Sequence, residues 1–167
     1  ITPDAPVPLA GYGNAKTRIS QEFRDDLMLT CIAFSDSDNN TVLMYSSDMI
    51  SAAMPMCIEA RKILNEKLGI PEDHIMLAST HSHSSLAWEE TSFDSVVRFR
   101  EKFLQAMVDT GIEAVEDLAE AITYVSAVQT ERMNFIRHYK VADGTFAGDN
   151  FGNAAAGIID HTTANDP

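Results

Sequence analysis

At 167 residues, 45% hydrophobic and 22% charged, the chain is large and apolar enough to bury the core of one globular α/β unit. Its formal net charge of −13 repels phosphate backbones and sets DNA and RNA aside as partners. No apolar run is long enough to span a membrane, no signal peptide is visible, and the steady supply of Val, Ile, Leu and Met argues against disorder.

Residues 1–20 contain Pro3, Pro6, Pro8, Gly11 and Gly13, which predicts an extended, turning segment. Residues 27–34 read as a strand, with Thr30 and Ile32 at β-favouring positions, and Cys31 within it reads as a buried thiol. The run from Ser35 to Asn40 has strong turn character, and residues 41–47 give a second strand, so an antiparallel hairpin is expected. From Ser51 the period changes to that of a helix. Ser51 is the expected cap, Pro55 suits the first turn, and Cys57, Ala60, Leu64 and Leu68 share a face. Cys57 is the second buried thiol, and Gly69 followed by Pro71 ends the helix.

Residues 75–79 form a short continuous apolar run, which predicts a buried parallel strand. Strand, helix and strand over 41–80 then make a right-handed βαβ crossover. A long helix is expected over 95–121, its buried stripe running through Val96, Phe99, Phe103, Met107, Val108, Val115 and Leu118, with a kink at Gly111. Residues 124–131 read as a further strand, and after Arg132 the pattern fades into a polar tail. The expected fold class is α/β, a mixed sheet with a βαβ crossover and a long packed helix. The chain opens at Ile1 without a Met and stops at Pro167, so both ends are expected to be cut and residues 1–167 to be one fragment of a larger catalytic domain.

Chemistry concentrates in Thr80-His81-Ser82-His83-Ser84-Ser85, just past the carboxyl end of the apolar strand, where ligands gather in open parallel sheets. In extended chain, residues two apart point to the same side, so His81 and His83 are expected to face one site with backbones roughly 7 Å apart. A neutral imidazole pair can supply one or two zinc positions. Spacing alone leaves two readings open, metal ligands or surface loop histidines. Asp48, at the end of the preceding parallel strand, should emerge at the same edge, either orienting a histidine or serving a structural, capping role. The structural role is the expected one. His74 is expected to be exposed, and His138 and His161 are less suited. A zinc hydrolase needs about three protein ligands plus an open position for water. The residues offer one pair, without a Glu-bearing zinc motif, a Gly-x-Ser-x-Gly elbow, a P-loop, a dinucleotide fingerprint or a Cys-x-x-Cys.

Taken in order, Pro8-Leu9-Ala10-Gly11-Tyr12-Gly13, Ser46-Ser47-Asp48 and Thr80-His81-Ser82-His83-Ser84 resemble the neutral (non-lysosomal) ceramidase family. The likeness continues through Asn134 and Arg137 and runs over nearly the whole chain. It implies a zinc amidase that cleaves the N-acyl bond of ceramide, giving sphingosine and a fatty acid. It also implies that His81 binds zinc, that His83 lies beside the metal and contacts the substrate or the developing oxyanion, and that Arg137 faces the site. Secretion or a membrane-facing location follows from the same likeness, with contact to a membrane surface through the parent protein. The family's remaining ligands, a histidine, a glutamate and a tyrosine, lie further along its chain. The family's Gly-Pro after the motif is replaced here by Ser85-Leu86, which bears on the substrate more than on the metal. Three other readings compete. One is a hydrolase of a different amide or ester, and another a non-catalytic scaffold with the same fold. The third, a metallo-β-lactamase-like hydrolase, expects Asp-His where this chain has Ser84-Ser85.

Overall fold

The structure, a computed structural model, describes residues 1–130, 139–141, 146–147 and 158–161. Two compact units divide the chain, Ile1–Glu120 and Ala121–Pro167.

The first unit is mixed α/β. Strands β1 (Leu29–Ser35) and β2 (Thr41–Ser47) form the expected antiparallel hairpin, and β3 (Ile75–Ser79) joins β2 in parallel, in the order β1-β2-β3. The hairpin turn is held by Asp36, whose carboxylate accepts from the backbone N–H of Asp38 and Asn40 at 2.9 and 2.8 Å and from the Asn40 amide at 2.9 Å. Those bonds favour the ionised form and hold the Asp36 carboxyl below the usual carboxylate range. β1 starts two residues later than the apolar pattern suggests. Leu27 is taken by the amino-terminal segment instead, its N–H bonding the Thr2 hydroxyl and its carbonyl accepting from the Ile1 amino group.

Between the parallel strands runs helix α1 (Met54–Leu68), completing the βαβ unit. Its Cys57, Ala60 and Leu64 are buried, and Gly69 ends it with φ 71°, a left-handed turn whose N–H reaches Asn65 O at 2.8 Å. Ser51 does not cap it. Ala53 stands at the helix start with no side-chain cap, while the Ser51 carbonyl accepts from the Trp88 indole at 3.1 Å.

Helix α2 (Asp94–Glu116) packs on α1 and β1, burying Val96, Phe99, Phe103, Met107 and Val108 as the period predicts. It runs unbroken through Gly111, where the bare Cα serves a close approach. A Cβ there would stand 2.1 Å from Tyr45 Oη and 3.0 Å from Leu64 Cδ2. Tyr45 Oη in turn donates to Met107 O at 2.7 Å, and burial pushes its phenol well above the ordinary range. The helix stops at Glu116, short of the expected 121. Its last turn carries no basic residue, Glu113, Glu116 and Asp117 oppose the helix dipole, and Leu118 is exposed. Cys31 and Cys57 are both free thiols, raised in pKa by burial.

One expectation for β3 fails. Its apolar run is buried on one side alone. The helices cover that face, whereas Ile32, Phe34, Met44 and Met76 on the other are 44–59% exposed. A continuous apolar run implies two covered faces, and among the described residues the second face is open.

In the second unit, β4 (Tyr139–Val141) pairs antiparallel with β5 (Phe146–Ala147) and β6 (Ile158–His161). The strand expected over 124–131 is not formed at residues 124–130. Tyr124, Val125 and Val128 are 85–92% exposed there, and among the described residues no ladder partner satisfies that backbone. Glu131 lies outside the described residues.

Candidate functional site

Past the carboxyl ends of β2 and β3, the two chains go on pairing as loops. Thr80 N–H reaches Ser47 O at 3.0 Å, and Ser82 N–H reaches Met49 O at 3.2 Å. The buried Ser85 hydroxyl then ties both loops together, accepting from Ile50 N–H at 2.9 Å and donating to Ser82 O at 2.8 Å. Residues 7–10 lie against the far side of the histidine loop. Ala10 N–H bonds Ser85 O, Ala87 N–H bonds Pro8 O, both at 2.9 Å, and Leu9 bridges Leu86. Ser85 and Leu86 are thus 1% and 0% exposed and are built into the loop's scaffold.

On this frame the two imidazoles meet with centroids 5.1 Å apart, edge to face. They do not do so by the alternation of an extended strand. His81 sits in the left-handed region at φ 61°, a conformation uncommon for a residue with a Cβ. The conformation is matched by one strong contact, His81 Nδ1 to Ile50 O at 2.7 Å. A carbonyl only accepts, so Nδ1 carries the proton and Nε2 keeps its lone pair. Fixing the tautomer through the other ring nitrogen is the way metal-bound histidines are oriented.

His83 is held differently. Its Nδ1 is buried without a hydrogen-bond partner, the one such side-chain atom among the described residues. That side of the ring lies against Gly11, where a Cβ would come 2.0 Å from Nδ1. Gly11 has φ 87°, so glycine is required there twice over, by conformation and by space. The Tyr12 ring stands 4.5 Å from the His83 ring, and the Arg18 guanidinium lies 5.0 Å above Tyr12.

The capping role expected of Asp48 is not found, because Ala53 stands at the start of α1 without a side-chain cap. The Asp48 carboxylate instead accepts from Met28 N–H at 3.0 Å and the Thr80 hydroxyl at 3.5 Å, tying the residue before β1 to the loop after β3 and leaving the histidines alone. His74 is half-buried, not exposed, with Nδ1 3.1 Å from Thr41 O. Arg137 and His138 lie outside the described residues. A cavity of about 600 Å³ opens beside the loop, walled by Val7, Leu9, Leu86, Thr80, Ser82 and Ser84. The imidazoles do not line it.

Among the described residues no three His, Cys, Asp or Glu side chains gather to hold a metal ion. The Ile50 O contact leaves His81 Nε2 as a donor that fits one position of a zinc site, and the described residues do not complete a ligand set. The contacts of Gly11, Tyr12 and Arg18 with the site were not foreseen. Pro8–Gly13 stands among the motifs of the family likeness, but neither its packing against His83 nor the part of Arg18 follows from the sequence. Searches for a matching family model, a similar curated protein and a similar solved structure found none.

Proposed function

We propose that this chain carries part of the active site of a zinc-dependent amidohydrolase that cleaves the N-acyl amide bond of ceramide or a related N-acyl lipid. The reading joins the ordered motif likeness to one observation. At the carboxyl edge of a parallel strand, His81 is held by Ile50 O with Nε2 free, beside a second imidazole. Bound zinc supplies an acidified water and polarises a carbonyl. His81 would hold the metal through Nε2, and His83 would donate to the amide oxygen as negative charge builds there. The mostly apolar cavity next to the loop suits an amphiphilic substrate.

A second reading, a scaffold domain with the fold but without catalysis, draws on the missing third ligand among the described residues. Labelled ceramide separates the two when given to a longer chain that carries this one. The amidase reading expects release of fatty acid that chelator abolishes, zinc restores and His81→Ala removes. Turnover absent while zinc still binds through His81 would move the reading to another amide or ester. Neither turnover nor zinc would leave the scaffold.

A further inference from the structure

The two imidazoles are secured in unlike ways, and the difference assigns a task to residues far from them in sequence. His81 has a hydrogen bond to the protein, whereas the buried Nδ1 of His83 has none. Without a polar partner, the orientation of His83 depends on what its ring touches. Three groups supply this. The bare Cα of Gly11 leaves room for the Nδ1 side of the ring, the Tyr12 ring leans on it at 4.5 Å and 59°, and His81 meets it edge-on. Tyr12 is itself 66% exposed and lies on a turn between two glycines of positive φ, so its own placement needs a cause. Arg18 provides one. Its Nη1 donates to Ala10 O at 2.9 Å, and its guanidinium carbon lies 5.0 Å from the Tyr12 centroid. Leu9 N–H bonds Arg18 O at 2.8 Å, fixing the backbone from which that side chain reaches.

We propose that Tyr12 is a positioning residue for His83, and that Arg18 holds Tyr12 in place to do it. The guanidinium attracts the tyrosine face, and the tyrosine ring occupies the space into which the imidazole would otherwise rotate. The hydroxyl takes no part, since the contact runs through the ring. This deepens the zinc amidase reading, on which its value for catalysis rests, but its test needs neither zinc nor turnover.

The test is nuclear magnetic resonance on the metal-free 167-residue chain, reading the cross-relaxation between the His81 and His83 ring protons. The amide fingerprint of β1–β3 reports the fold in the same sample. Tyr12→Ala is expected to weaken the ring-to-ring signal roughly two- to fivefold, the population change that such aromatic and cation–π contacts sustain. Tyr12→Phe restores it to the wild-type level, and Arg18→Met gives a smaller loss of the same kind. An unchanged signal in Tyr12→Ala with an intact fingerprint overturns the proposal, as does a loss in Tyr12→Phe equal to that in Tyr12→Ala. Should Tyr12→Ala disturb the fold, Arg18→Met decides, because a full signal there shows that the stack positions nothing. The zinc reading fails separately, through His81→Ala and chelation, and leaves these signals untouched.

Discussion

Between the helix-covered face of the β1–β3 sheet and the loops at its carboxyl edge, the means of fixing a side chain changes. On the covered face, Phe103 is fully buried and packs against Trp88, with centroids 4.9 Å apart, and against Phe99. Position there follows from exclusion of water and from shape. At the edge, His81 is exposed and held by a single hydrogen bond at an unfavourable φ, and His83 rests on a glycine and a tyrosine. The first region stores the stability. The second uses it, keeping His81 in a backbone conformation that a residue with a Cβ does not favour.

Substitutions can break or sharpen that division. Phe103→Ala should have the largest effect, a loss of about 3–5 kcal/mol in denaturant unfolding. Because total stability for such a domain is only about 5–15 kcal/mol, much of the fold's margin goes with it. A loss below about 1 kcal/mol would mean that the aromatic cluster does not carry the core. Gly111→Ala should come next. Its methyl meets Tyr45 Oη, an overpacking that costs about 1–3 kcal/mol, against a gain of up to about 1 kcal/mol in helix propensity. Tyr45→Phe removes the obstructing oxygen, so the double variant should be less destabilised than the sum of the two single changes. Strict additivity would show that the helix accommodates the methyl by another route.

The covered face was legible because its signals are periodic. β2 and β3 span the residues expected of them, and the stripe of α2 falls on the positions that its period marks as far as Val108, while Val115 is half-buried and Leu118 exposed. Misreadings cluster where a partner, not a pattern, decides. The 124–131 run has strand-like composition, yet residues 124–130 have no ladder to join among the described residues. Met76 belongs to an apolar run, yet it faces outward. Ser51 has the chemistry of a cap, but its carbonyl receives an indole instead. In the site, the His-x-His spacing located the pair correctly for a mistaken geometric reason, since His81 is left-handed and not extended. Gly11 and Tyr12 stood in a motif, but what they and Arg18 touch was not legible in the sequence. Their contacts come from residues 7–10 lying alongside 85–87, a pairing that no local period announces.

Whether His81 presents Nε2 to a metal is read directly by side-chain nitrogen resonance on the 167-residue chain, at a pH where the ring is neutral. The expected result is a proton on Nδ1, an unprotonated Nε2, and a shift of the Nε2 signal as zinc is added. Binding should be weak, since two imidazoles do not complete a tetrahedral site, and His81→Ala should abolish the response. A proton found on Nε2, or zinc that leaves the His81 nitrogens unmoved, would contradict the zinc reading.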